Sequence, residues 1–296
     1  GELDFLSGLS PANKDELLTR TGRLNPKYEG EIKMYTQPYL NTEYLGFLVD
    51  DSIKAAQNSP VSEKLVRKAI NYGFDRKKMM KYLRNNIGTP ANQGFIPKGL
   101  PAFSKDSVQG YSYNPDKARR LLEKAGYPQG KGLEPIKLTT TDDYRDLCEF
   151  IQHQLSEIGI EINIEISTGA TFRDMVANSK LLFFRGSWIA DYADAENYLA
   201  LFYSKNFSPG GPNYTHYKNP GYDSLYEKAL STMSPRKRQR YYRQMDRMII
   251  EDAPIVPLYY DQVVRFTHNN IKDLGNNPMN LLVLKHVKKE NNEAHR

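Results

Sequence analysis

The spacing of apolar positions along this chain changes several times, and each change marks an element. Over residues 61–74, Leu65, Val66, Ala69, Ile70 and Phe74 recur at three- and four-residue intervals with Lys64, Arg67 and Lys68 between them, which predicts an amphipathic helix. Asp75 stands where it can cap a second helix carrying Met79, Met80 and Leu83 and ending before Gly88. Asn114 and Pro115 open another helix through Ala118, Leu121 and Leu122, with Gly126 as its stop. A strand at 136–140 follows, then a helix at 143–158 striped by Leu147, Phe150, Ile151, Leu155 and Ile158, then the period-two run IEINIEI. Strand, helix and strand joined by short links predict a parallel crossover unit, so the middle of the chain reads as α/β.

The flanks are less regular. Residues 11–20 predict a helix with Ser10 as N-cap and Pro11 at its first position, followed by strands at 31–36 and 43–49. The polar run DDSIKAAQNSP reads as a crossing between two lobes. Residues 88–112, with Pro90, Pro97 and Pro101, form a long loop that is either functional or draped over a surface. A short helix at 173–177 leads to LLFF at 181–184, a short buried strand. Helices at 222–232 and 235–251, a buried strand IVPLYY and a strand-like segment at 281–286 precede a polar tail, KKENNEAHR, expected to be disordered.

Composition narrows the class. With 296 residues, 39% hydrophobic and 26% charged, the chain can bury one large core or two smaller ones. The formal charge of +6 comes from 41 basic against 35 acidic residues interspersed along the chain, which does not call for a nucleic-acid partner. Arg236, Lys237, Arg238, Arg240, Arg243 and Arg247 share a helix with an apolar stripe of Tyr242, Met245, Met248 and Ile249, and read as its solvated face. A single cysteine, Cys148, excludes an intrachain disulfide and a multi-cysteine zinc site. No apolar run approaches the length of a membrane span. The opening GELDFLSGL reads like the interior of a domain, as expected if a targeting signal was removed or a longer protein was cut.

Motifs for covalent chemistry are absent: there is no G-x-S-x-G elbow, H-E-x-x-H helix or phosphate loop, and GKGLEP precedes a strand rather than a helix. The densest chemistry lies in LLFFRGSWIADYADAENYLAL, which gathers Arg185, the only tryptophan, Trp188, and the carboxylates Asp191, Asp194 and Glu196. Their spacing fits no calcium loop and no histidine completes a transition-metal set, so neither a metal nor another cofactor is implied. Asp194, followed by Glu196 and the stripe Tyr198, Leu201 and Phe202, reads as an N-cap with an acidic first turn. Asp191 lies between strand end and cap, where nothing local requires a carboxylate.

Several segments, in order, resemble a known family. SPVSEKLVRKAINYGFDRKKMM, NPDKARRLLEKAGYPQGKG, LSEIGIEINIEI and GSWIADYADAENYL are similar to signatures of the family 5 extracellular solute-binding proteins, the oligopeptide- and dipeptide-binding components of ABC importers. YKNPGYDSLYEKAL and EDAPIVPLYY also have counterparts there. The resemblance implies a periplasmic-binding-protein-like type II lobe, a mixed sheet flanked by helices, plus part of a first lobe. Residues 1–49 would be the late part of the first lobe, 50–262 a complete second, ligand-binding lobe, and 263–296 the return to the first lobe with a polar tail.

By the same resemblance Asp191, three positions after Trp188, would pair with the α-amino group of a peptide, and Arg185, three before it, would meet a carboxylate. A desolvated ammonium needs such a counter-charge, and a guanidinium fork fits a carboxylate. Ligand backbone would be held by strand-like hydrogen bonds. The expected role is a non-enzymatic, monomeric substrate-binding subunit in the cell envelope or periplasm, possible lipid anchor included, with ABC permease subunits and the remaining N-terminal lobe as partners and no nucleic acid. A non-peptide solute such as an oligosaccharide or metal chelate is the alternative within the family, and a carboxylate-dependent hydrolase the alternative outside it. Ala195 stands where the family commonly has proline, which leaves the shape of that turn open.

Overall fold

A computed structural model describes residues 3–8 and 13–290. Seven strands form one mixed sheet: β1 (Phe5–Ser7), β2 (Ile32–Phe47), β3 (Thr89–Pro90), β4 (Ile136–Thr140), β5 (Ile162–Ile166), β6 (Phe183–Ile189) and β7 (Ile255–His268). The order is β1-β7-β2-β6-β4-β5, with β3 also on β7; β4 is parallel to both β5 and β6 and the other pairings are antiparallel. The predicted crossover is present, with Arg145–Ser156 as its helix and Ile136 opposite Ile162.

Helices cover both faces. Alternation along β2 sends Leu45 and Phe47 to one core, with Val66, Ile70, Ile151 and Leu155, while Tyr44 faces another built around Phe95, Tyr198, Phe202, Met245 and Ile249. Cys148 is buried in the first core, where burial pushes its thiol up to about 11, so it serves as packing. Asp75 caps the Arg76–Leu83 helix as predicted, accepting the N–H groups of Lys77 and Lys78.

Several elements depart from the periodicity. The two strands expected at 31–36 and 43–49 are one strand, β2, because a register shift between Pro38 and Thr42 absorbs the proline that looked like a break. β7 runs on from IVPLYY to His268, since β2 gives it a partner along that whole length. Residues 281–286 are not a strand: Leu281, Leu282, Val283 and Leu284 are 60%, 45%, 50% and 55% exposed, and the terminal pairing is instead β8 (Ile271–Lys272) with β9 (Lys288–Lys289). Of the helix expected at 11–20 only Lys14–Leu17 is helical; its proposed cap, Ser10 and Pro11, lies outside the described residues, as does the tail from 291. The loop at 88–112 is not draped on the surface but buries Phe95 and Ile96, with the Phe95 ring edge-on to Tyr44 and Phe202.

The polar residues of the VRKAINYGFDR segment hold the start of β7 and the turn before it. Arg67 donates to the carbonyls of Ala253 and Asp252, Asn71 to that of Ile255, and Arg76 to that of Pro257 at 2.6 Å. Among the described residues no second strand pairs with 255–257, so Asn71 and Arg76 supply donors there, and Arg67 ties down the turn at Asp252 and Ala253 that leads into β7.

Candidate functional site

The strand that carries the dense segment is longer than four apolar residues suggest. β6 continues through Arg185 and Trp188 to Ile189, because β2 pairs with it from Phe47 opposite Phe183 to Asn41 opposite Ile189. On its other side β4 reaches only Phe184, opposite Thr139. Among the described residues, no strand pairs with that edge of β6 beyond Phe184.

A cleft of about 680 Å³ opens along this free edge. It is lined by Thr141–Tyr144 after β4, by Ser167–Gly169, Phe172, Arg173, Val176 and Ala177 after β5, and by Tyr44, Arg185, Gly186 and Trp188. Carboxyl ends of strands are where α/β sheets receive ligands. A second cavity, about 270 Å³, lies beside Tyr39, Arg84 and Asp261, away from those strand ends and too small for most solutes.

Period two puts Arg185 and Trp188 on opposite faces of β6, although both reach the cleft. Arg185 pairs with Glu43, and its guanidinium carbon stands over the Tyr144 ring, 3.2 Å from the centroid. Burial works against charge on the guanidinium, and Glu43, with Tyr144 and Tyr259, more than offsets it, holding Arg185 above its ordinary value. Trp188 donates its Nε1–H to Asn197 Oδ1 at 2.8 Å. The same oxygen accepts the Asp191 N–H, and Asn197 Nδ2 donates to Asp191 Oδ2 at 3.3 Å. Asp191 is thus oriented by Asn197 but exposed, just past the strand end and outside the lining of the cleft.

The other carboxylates diverge. Asp194 Oδ1 accepts the Glu196 N–H at 2.9 Å, as a cap would, but the helix it introduces is one turn, Glu196–Leu199, with Ala195 as the residue at its head. Glu196 accepts from Tyr192 and Tyr226. Arg238 reaches Asp194 at 3.5 Å and Arg243 donates to the carbonyls of Ala102 and Pro101, so part of the basic run ties down loops.

Three groups escaped the sequence reading. Glu43 had a signal: a glutamate inside the apolar run LNTEYLGFLV needs a buried partner. Asn197, 5% exposed, had none beyond its nearness to Trp188. The third is a Ser-His-Asp arrangement from distant segments: His216 Nδ1 lies 2.8 Å from Asp50, and Nε2 lies 2.9 Å from Ser179 Oγ. Nε2 also faces the Ser208 carbonyl at 2.9 Å, which only accepts. The ring thus joins Asp50, Ser179 and Ser208, three segments distant in sequence. Burial raises the Asp50 carboxyl, but hydrogen bonds from Ser52 and His216 prevail and hold it below the ordinary range. The arrangement is a clamp.

The floor of the cleft depends on one close approach. A Cβ at Gly186 would lie 2.5 Å from the Tyr44 ring, which is 2% exposed and fixed against Phe95. Gly186→Ala is expected to cost about 1–3 kcal/mol, read as a lower urea midpoint at unchanged slope; an unshifted midpoint would show that the ring has room to move.

The sequence family of bacterial extracellular solute-binding proteins, family 5 Middle, matches over residues 1–210. Heme-binding protein A of Haemophilus influenzae is 26% identical over 237 residues, 78% of this chain and 41% of that protein. Glutathione-binding protein GsiB of Salmonella choleraesuis is 30% identical over 218 residues, 72% of this chain and 42% of that protein. The chain thus spans less than half the length of these curated relatives. Among solved structures, the periplasmic binding protein DppA of Helicobacter pylori in complex with peptide STSA superposes with a TM-score of 0.76 at 24% identity, covering 92% of this chain and 49% of that one. That likeness shows the fold, the mixed α/β lobe expected from the sequence.

Proposed function

Because the chain belongs to the bacterial extracellular solute-binding proteins of family 5, we propose that it is the ligand-binding part of a substrate-binding subunit that captures peptides in the cell envelope and hands them to an ABC permease. The observation that carries this reading is the unpaired edge of β6 running into the cleft. An extended peptide can add to such an edge through main-chain hydrogen bonds, which accept many side chains. Asp191 would hold the ligand's ammonium, with Trp188 as a wall and Asn197 as the positioning residue of both. Arg185 reaches the same cleft from the opposite face of β6.

In this reading residues 1–49 and 263–296 belong to a first lobe, completed by chain outside this sequence, and 50–262 to the second. The proposed return at 263 falls within β7, which with β2 forms a continuous antiparallel ribbon suited to a hinge. Ligand is held by closure of the two lobes without covalent chemistry, in a protein that acts as a monomer. Because Asp191 is exposed here, its desolvation would come from the opposing lobe.

The test is Asp191→Asn in the full-length protein, where titration calorimetry with peptide should show affinity weakened at least tenfold, about 1.4 kcal/mol. Unchanged affinity would remove Asp191 from the role. A second reading, a planar non-peptide solute, draws on the aromatic lining of Tyr44, Tyr144, Phe172 and Tyr214 and on the heme-binding relative. Mass spectrometry of retained ligands separates the two.

A further inference from the structure

We infer that Glu43 sets the charge specificity of the cleft: by neutralising Arg185 it leaves no buried cation free there among the described residues, so that the accepted ligands bring an ammonium to Asp191 and an uncharged group, not a carboxylate, to Arg185. The inference rests on the peptide reading and corrects the carboxylate role that Arg185 would otherwise have.

Both oxygens of Glu43 are engaged. Oε2 pairs with Arg185, and Oε1 accepts from Asn41 Nδ2 at 3.0 Å. Asn41 also reaches Asp261 at 3.3 Å, and Asp261 pairs with Arg84 at 3.0 Å. The row contains two guanidiniums and two carboxylates, which sum to zero charge when both carboxylates are ionised; burial raises the Glu43 carboxyl, and the Arg185 guanidinium and the Asn41 amide oppose that rise. The Glu43 side chain is 5% exposed and that of Arg185 11%. A ligand carboxylate that took Arg185 would strand Glu43 in a site from which water is excluded, a loss set against any gain.

The remaining charges in the lining do not replace Arg185. Asp142 and Asp143 stand at the rim, with Asp142 bound to Arg145 at 2.9 Å. Arg173 is exposed, where salt and water screen it. Tyr144 covers the face of the Arg185 guanidinium. An incoming ligand therefore meets Arg185 already paired with Glu43 and set over the Tyr144 ring.

The test compares tri-alanine with its C-terminal amide on the full-length protein. The wild type is expected to bind the two within about threefold, and Glu43→Gln to favour the free acid by tenfold or more. A tenfold preference for the acid in the wild type that disappears in Arg185→Gln overturns the inference, and needs no Glu43 variant to fold. If neither peptide binds the wild type, the peptide reading fails, and a second readout decides the inference alone. Formate, the smallest carboxylate, should raise the unfolding temperature of Glu43→Gln and leave the wild type unmoved. A formate shift in the wild type that is lost in Arg185→Gln overturns it.

Discussion

Arg76→Ala should lower the unfolding free energy by about 4 kcal/mol, among the largest losses expected of any single substitution here. Arg76 is 2% exposed and its guanidinium is held by neutral acceptors: the Pro257 carbonyl at 2.6 Å, the Asn71 carbonyl at 2.8 Å and Asn71 Oδ1 at 3.1 Å. No carboxylate among the described residues pairs with it, and burial pushes its pKa down to about 9. It also lies over the Phe74 ring at 4.3 Å. Truncation would open a cavity and leave three buried acceptors without donors, each costing roughly 1–3 kcal/mol before relaxation. Lysine has one ammonium and no fork, so Arg76→Lys should recover only part of the loss. Urea unfolding measures both variants, and a loss below about 1 kcal/mol for the alanine would show that the acceptors find other donors.

The second large effect depends on pH. Asp246, 2% exposed on the Pro235–Asp252 helix, accepts the Phe95 N–H at 2.6 Å and fills the space beside Gly94, where a Cβ would lie 1.9 Å from its carboxylate. Burial pushes its carboxyl from 3.8 up to about 7, and no cation among the described residues opposes that. The neutral acid is the form the fold prefers. Its contribution is complete below pH 3.8 and is lost as pH rises through about 7. The difference is on the order of 4 kcal/mol between pH 4 and pH 8. Asp246→Asn keeps an acceptor for Phe95 and cannot ionise, so it should be stabilising relative to wild type at pH 8 and not at pH 4. A wild-type-to-variant difference that is the same at both pH values would place the Asp246 titration in its ordinary range.

The periodic middle of the chain was legible because each of its elements buries a face of its own. The Asp75 and Asn114 caps, the Gly126 stop and the β4-to-β5 crossover all follow from local chemistry. What escaped depends on partners distant in sequence. Whether residues 31–49 make two strands or one is decided by β7, more than 200 positions away in the register of Tyr44 with Pro257. LLVL at 281–284 reads as a strand, but apolar residues form one only beside an available edge. The candidate site divided in the same way. The dense segment was found from its residue types, and the Trp188 and Asp191 neighbourhood holds together through Asn197. The state of Arg185 could not be read locally, because its partner is 142 positions away.

The donors aimed at β7 from the VRKAINYGFDR helices bear on association as well as on folding. A strand edge with open acceptors will recruit any extended chain that meets it. Along 253–257 Arg67, Asn71 and Arg76 have already taken the acceptors, and Pro257 offers no N–H. Of these two stretches of edge, the one behind the helices is closed and the one along β6 is left open, so only the second offers an extended guest a place beside the cleft.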